Sequence, residues 1–344
     1  MSSASGKVLL QGCWLWGVAV LLLTACSASQ PHGTSPASKT SSALVATEKD
    51  ASGSSLLLAD HPLAGRIWNV SAGKFISQDQ LAEGILESDY LLLGETHDNP
   101  RHHQGQAWVI SRLGARQGSG AVAFEMISLQ QGKMITEKQY DSVQALIDAL
   151  NHINPRWDYD QQYRPVFDAA LKAGYALLPA SFDRQEIMAI AGKGESALPS
   201  EVKTLMAANP FSDEQIAGSR KEIEGSHCGM INEKMTNTMM LVQRAKDAGM
   251  ALAIDKRPGI KKWVLIAGSG HVRKDRGVPF FLRGHNGKLT AIAWVEVQEG
   301  ENEPDIYAGH WGADSLPFDF VWFTPRADRP DPCEQFRRHM KNKQ

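Results

Sequence analysis

The sequence predicts an α/β domain whose mainly parallel sheet is flanked by helices on both faces. Short apolar runs recur along the chain and are separated by amphipathic stretches of helical length. Strands buried on both faces have this continuous apolar character, and their parallel pairing requires crossover connections. The composition agrees, because 42% of the 344 residues are hydrophobic and the formal net charge is -2. That charge argues against a nucleic-acid-binding protein and against a disordered chain.

The predicted strands are aliphatic runs that end in glycine or a polar residue. A small hairpin is expected first, because a Ser-Ala-Gly-Lys turn separates two short apolar segments. The strands are predicted over residues 66–70, 75–77, 89–94, 121–125, 175–180, 263–268, 289–297 and 319–323.

The predicted helices lie between these strands. Ser77 and Gln80 have the spacing of a capping box, which predicts a helix from there to about residue 87. Gly249 is expected to lie just beyond the last long helix, since glycine commonly follows a helix C-terminus. The other helices are predicted over residues 100–116, 128–137, 140–151, 164–174, 183–191, 200–224 (two helices) and 230–248.

Residues 1–25 are predicted to be a lipoprotein signal peptide. Lys7 precedes an apolar stretch, and the following Leu23-Thr24-Ala25-Cys26 resembles the bacterial lipobox. The resemblance implies cleavage before Cys26 and a lipid on its thiol, which would anchor the chain to a lipid bilayer of the cell envelope. Ser27 follows the cysteine, and in lipoproteins a residue other than Asp at this position usually indicates location at the outer membrane. Residues 26–62, rich in Ser and Thr, are predicted to be a disordered tether, and residues 63–344 the folded domain.

Two cysteines, Cys228 and Cys333, remain in the predicted domain. An exported compartment is oxidising, so a disulfide between them is favoured. Buried free thiols or a thiolate ligand are the alternatives.

Polar side chains follow three of the predicted strands. Glu95 and His97 follow the strand predicted at residues 89–94. Glu125 ends the strand at 121–125, and His271 follows the strand at 263–268. Both histidines stand in a Gly-x-x-His pattern, in which the glycine allows a tight exit from the strand. In parallel sheets the carboxyl ends of the strands carry the chemistry. Two imidazoles and two carboxylates there would suit a divalent metal ion or a general acid–base pair.

Several segments together carry a family resemblance. They are LGETHDNP at residues 93–100, Trp157 with Tyr163 and Pro165, HCGM at 227–230, AGSGHVR at 267–273, FTPR at 323–326 and DPC at 331–333. With them the chain resembles the ChaN-type haem-binding lipoproteins over about residues 63–337. The resemblance implies an α/β domain that binds haem and acts in iron acquisition, with a homodimer and haem-uptake transport components as partners. The wider group includes Tiki proteases and erythromycin esterases.

Two functions therefore compete. For haem binding, Tyr163 is the first candidate for the axial ligand, because a phenolate suits ferric iron. His227 and His271 follow as axial or propionate partners, and Arg273 is a candidate for a bidentate bond to a propionate. For the alternative, a metal-dependent hydrolase, the catalytic residues would be Glu95, His97, Glu125 and His271. His97, Glu125 and His271 would then hold the divalent metal ion.

Overall fold

The computed structural model describes residues 47–49, 55–114, 119–136, 140, 142–153, 157–255, 259–331, 333–334 and 337–338. The described residues form one compact unit. The predicted signal peptide and the predicted lipidation site Cys26 lie outside the described residues. Among the described residues, no helix is long and apolar enough to cross a membrane.

The main sheet has eight strands and is largely parallel, as the sequence predicted. Its order is β4-β3-β10-β9-β5-β8-β6-β7. Strands β10, β9, β5, β8, β6 and β7 pair in parallel, and the hairpin β3–β4 adds an antiparallel edge. The strands are β1 (Thr47–Lys49), β2 (Ser55–Leu57), β3 (Ile67–Asn69), β4 (Lys74–Ile76), β5 (Tyr90–Glu95), β6 (Gly120–Ser128), β7 (Ala176–Ser181), β8 (Lys262–Gly268), β9 (Leu289–Glu296), β10 (Phe320–Thr324) and β11 (Arg326–Ala327).

Helices cover both faces of this sheet. The capping box predicted at Ser77 is present at the start of the first helix. The helices are α1 (Gln78–Ile85), α2 (Pro100–Gly114), α3 (Leu129–Thr136), α4 (Val143–Ile153), α5 (Arg164–Lys172), α6 (Arg184–Lys193), α7 (Ser200–Ala208), α8 (Asp213–Ser226), α9 (Glu233–Asp255), α10 (Ser269–Val272) and α11 (Val278–Phe281).

Alternate side chains of each strand feed two separate cores. In β5, Leu92 packs in the core beneath α6, α7, α9 and α11, whereas Leu91 and Leu93 pack in the core beneath α1 to α5. Successive strand side chains point to opposite faces, so a strand covered on both sides must be apolar throughout. This double burial explains why the predicted strands had no alternating pattern.

The folded domain begins earlier than the sequence predicted. Residues 55–57 fall in the segment interpreted as tether, yet they form β2, which pairs with both β1 and β11. Leu56 is fully buried there. Residues 55–57 thus pack with the folded domain, ahead of the boundary predicted at residue 63.

Helix α9 is longer than predicted. It continues through Gly249 to Asp255. A Cβ at Gly249 would come 2.8 Å from the Phe182 ring, so the glycine allows a close approach of helix to ring. Met250 and Ile254 beyond it are buried, and their burial extends the helix. The glycine thus serves packing and does not terminate the helix.

Candidate functional site

The carboxyl ends of β5, β6 and β8 bring the predicted polar residues together. Glu95 ends β5, Glu125 lies in β6, and His271 lies in the short α10 that follows β8. The exit from β5 requires a glycine, since a Cβ at Gly94 would come 2.4 Å from a methyl group of Val272. This close approach brings α10 against β5 and so sets His271 beside the other strand ends.

Glu95 is the centre of a buried hydrogen-bond cluster. Its Oε1 accepts from the Tyr163 hydroxyl at 2.6 Å and lies 2.8 Å from His97 Nδ1. Its Oε2 accepts from Gln106 Nε2 at 2.7 Å and lies 3.4 Å from His103 Nε2. Burial alone would raise the pKa of Glu95, but His103 and His97 outweigh it and hold that pKa far below its usual range. The carboxylate is therefore ionised and fixed.

His271 is the centre of a second cluster beside the first. Its Nδ1 lies 2.6 Å from Asp247 Oδ1, and its Nε2 lies 3.1 Å from Glu125 Oε1. Burial lowers the pKa of His271, but Glu125 and Asp247 more than offset that effect and raise it to about 9. Burial raises the pKa of Asp247 to about 6 in spite of the nearby imidazole.

Glu125 is held in this second cluster by two further donors. Lys246 Nζ donates to Oε1 at 2.5 Å, and the backbone N–H of Gly268 donates to Oε2 at 2.8 Å. Burial by itself would raise the pKa of Glu125, but His271 and Lys246 bring it well below its ordinary value.

His97 links the two clusters and faces open space. Its Nδ1 bonds to Glu95, and its Nε2 lies 3.8 Å from Glu125 Oε2. The side chain is 35% exposed. Burial lowers the pKa of His97, but the bond to Glu95 and the charge of Glu125 outweigh it, so the pKa is raised. Glu95, His97, Glu125 and His271 thus converge as the sequence predicted.

A cavity of about 940 Å³ opens from these strand ends. Helices α8 and α9 form its longest walls, and α6 closes one side. Its apolar lining includes Ile187, Phe211, Ile223, Met235, Met239 and Met240, and its polar floor includes His97, Glu125, Lys246 and His271. These three methionines of α9 therefore form part of a cavity wall.

His227 is on the wall of this cavity, at the end of α8. Its Nδ1 lies 2.7 Å from the carbonyl oxygen of Ile223. A carbonyl only accepts, so Nδ1 donates the proton of this bond. The next residue, Cys228, forms a disulfide with Cys333 across a Cα–Cα distance of 5.8 Å.

Tyr163 has a different environment from the one that its predicted role requires. It ends a π-helical turn before α5, its side chain is fully buried, and its hydroxyl donates to Glu95. Burial and the charge of Glu95 raise its pKa far above the usual range, which opposes the phenolate form. This placement does not favour the axial role predicted for Tyr163. Tyr163 instead fixes the carboxylate of Glu95.

Arg273 lines the cavity but its guanidinium is already bound. Nε and one terminal nitrogen donate to Asp275 at 2.6 and 2.7 Å, and another donates to Glu222 at 2.6 Å. The expected bond to a propionate would have to displace these carboxylates. The geometry assigns Arg273 to a buried ion-pair network.

Sequence reasoning missed Lys246 and Asp247. Both come from the middle of α9, where the predicted helix was correct but no motif marked them. The burial of the flanking Ala245 and Ala248, which the sequence does not reveal, places both charged residues toward the inward side of the helix. Charged residues on the buried side of a helix are rare unless they are paired.

A metal site is not supported. Among the described residues, no group of three or more His, Cys, Asp or Glu side chains is arranged to hold a metal ion. His102 has a structural role. Its Nδ1 accepts from the backbone N–H of Thr96 at 2.8 Å, and its Nε2 lies 2.8 Å from the Thr324 hydroxyl oxygen.

A family model described as "Haem-binding uptake, Tiki superfamily, ChaN" matches residues 81–282. Among solved structures, the chain is similar to ChaN of Campylobacter jejuni, described as showing cofacial haem binding. The two share 22% identity and a TM-score of 0.56 over 74% of this chain and 95% of that one. This likeness shows a common fold.

Two further solved structures are more distant. An erythromycin esterase mutant, EreC in an open conformation, shares 12% identity and a TM-score of 0.41 over 78% of this chain and 99% of that one. The type III effector HopBA1 shares 13% identity and a TM-score of 0.40 over 73% of this chain and 93% of that one. No curated protein matches the chain.

Proposed function

The chain belongs to the ChaN haem-binding uptake family of the Tiki superfamily, and from this premise we propose that it binds haem in the cavity between α8 and α9. The single observation that carries the proposal is the character of that cavity. It combines an apolar wall, which would cover the porphyrin faces, with an imidazole that could reach the iron.

The cavity fits a group of this size and chemistry. Its volume of about 940 Å³ lies at the upper end of the ~300–1,000 Å³ common for ligand pockets. Met235 and Met239 lie one helical turn apart on α9 and line the same wall. Methionine side chains are flexible and polarizable, so they adapt to a flat aromatic ligand.

We infer that His227 is the axial ligand. The hydrogen bond from its Nδ1 to the Ile223 carbonyl selects the tautomer whose Nε2 coordinates metals. Ligating histidines commonly carry such a second bond, which fixes the ring orientation and raises its basicity. Tyr163 and His271 are less suitable, because each is buried and bonded within the strand-end clusters.

Replacing His227 with alanine is expected to weaken haemin binding by more than ~100-fold, since losing an outer-shell partner alone costs 10–100-fold. A haemin titration followed by the Soret band measures this. His310→Ala, which removes an exposed histidine, is the matched control and should bind like the wild type. Loss of binding in Tyr163→Phe with retention in His227→Ala would reverse the ligand assignment. A wild-type protein without a saturable Soret shift would refute haem binding itself.

The same titration bears on assembly. In a cofacial arrangement, as described for the Campylobacter jejuni protein, two haem faces stack on each other. A second copy of this chain would supply the second haem, and Met235, 41% exposed, would add apolar contact between copies. Sedimentation of the titrated protein is expected to show a homodimer with haemin and a monomer without it.

We further propose that Cys26 is lipid-modified, that it anchors the protein in the outer membrane, and that the bound haem is cargo for iron acquisition through transport components of the envelope. The lipobox sequence supports this proposal. Cys26→Ala is expected to move the protein from the membrane fraction to the soluble fraction and to slow growth when haem is the iron source. Cys26→Ala protein that stays in the membrane fraction would contradict the anchor, and unaltered growth of a deletion strain would contradict the role in iron supply.

A further inference from the structure

The two histidines at the strand ends are oriented as metal ligands usually are. His97 directs Nδ1 to Glu95 at 2.8 Å, and His271 directs Nδ1 to Asp247 at 2.6 Å. In metal sites, a ligating imidazole commonly donates its other N–H to a carboxylate in this way. Both Nε2 atoms then face the carboxylate of Glu125, at 3.8 and 3.1 Å.

A lysine ammonium lies where a metal ion would have to bind. Lys246 Nζ is 2.5 Å from Glu125 Oε1 and 3.1 Å from His271 Nε2. A zinc ion would need these same two atoms at roughly 2.0–2.2 Å. The ammonium therefore occupies the required space and also opposes a second cation by charge repulsion.

The surroundings leave Lys246 few other positions. Its side chain is only 19% exposed, and its neighbours in α9, Ala245 and Asp247, are buried. The lysine is thus on the inward side of the helix, where an unpaired charge would be costly. Glu125 is the carboxylate within reach that offsets this cost.

We propose that the Lys246 ammonium occupies the position of a metal ion in the Glu125–His97–His271 cluster and excludes divalent metal ions from it. Residues that have the chemistry and the outer carboxylates of a metal site thereby form a metal-free one. A ligand that enters the cavity meets an ammonium group at its floor. This inference does not depend on haem binding.

Zinc titrations of the purified full-length protein test the proposal. Wild type and His271→Ala are expected to bind zinc equally, because His271 contributes no site while Lys246 is present. Lys246→Leu is expected to gain one zinc site per chain. Its affinity for zinc should be on the order of 100-fold higher than that of the wild type, the scale on which neighbouring groups alter metal affinity. Adding His271→Ala to Lys246→Leu should remove that site.

Two lysine variants are the controls. Lys246→Arg keeps a cation in place and should gain no site, and Lys234→Leu makes the same substitution on the exposed side of the same helix and should also gain none. His271-dependent zinc binding by the wild type would overturn the proposal, and that comparison holds even if Lys246→Leu does not fold. A folded Lys246→Leu protein that gains no site would overturn it as well.

Discussion

Replacing Glu95 with alanine is expected to lower the free energy of unfolding by about 3–5 kcal/mol, the cost of removing one partner from a buried charged network. The carboxylate receives hydrogen bonds from Tyr163 and Gln106 and lies against two histidines. Its loss leaves the buried Tyr163 hydroxyl and Gln106 amide without their charged acceptor. Urea unfolding of the variant measures the change.

Glu299→Ala is the matched control, because Glu299 is exposed and its loss should cost less than ~0.5 kcal/mol. Glu95→Gln keeps the shape of the side chain but not its charge. Its decrease in the free energy of unfolding should therefore lie between those of Glu299→Ala and Glu95→Ala. A cost below about 1 kcal/mol for Glu95→Ala would mean that the neighbouring side chains find other partners.

The same carboxylate gives the wild type an acid-sensitive contribution. The pKa of Glu95 is depressed in the folded state, so its contribution is complete above the unfolded value of ~4.3 and is lost as the pH falls toward the folded value. Glu95→Ala removes this contribution. The difference between wild type and variant is therefore expected to narrow as the pH falls below about 4.

Breaking the Cys228–Cys333 disulfide is expected to lower the free energy of unfolding by about 2–5 kcal/mol. The bond closes a loop with a sequence separation of 105, and loop-closure entropy makes a cross-link over such a distance strongly stabilising. Urea unfolding with and without reductant, with thiol labelling to verify reduction, measures the effect.

Reduction of the disulfide is also expected to lower the affinity for haem. Cys228 has a φ of 57°, an unusual value for a residue other than glycine, and it directly follows His227. Reduction would free this turn, so haem affinity is expected to fall together with stability. The double variant Cys228→Ser, Cys333→Ser is the control and should not respond to reductant. Unchanged stability in fully reduced wild type would show that the bond contributes little.

The order of strands and helices could be predicted closely, because the signals are local. The capping box at Ser77 predicted the start of α1, and the apolar run of residues 90–93 predicted a buried strand. The predictions were wrong where a residue that matched a local pattern makes a contact with a distant part of the chain. Gly249 was interpreted as a helix end, whereas it accommodates Phe182. Leu56 was assigned to a tether, whereas it is buried in the domain.

The convergence of Glu95, His97, Glu125 and His271 could be predicted from the sequence. They follow parallel strands, and the carboxyl ends of such strands share one edge. Their partners, by contrast, depend on packing between elements that are far apart in sequence. Lys246 is 121 residues from Glu125 in sequence, and its contact depends on how α9 is rotated about its axis. Each helical residue turns the face by about 100°, so packing alone selects whether a lysine, a methionine or an alanine faces the strand ends.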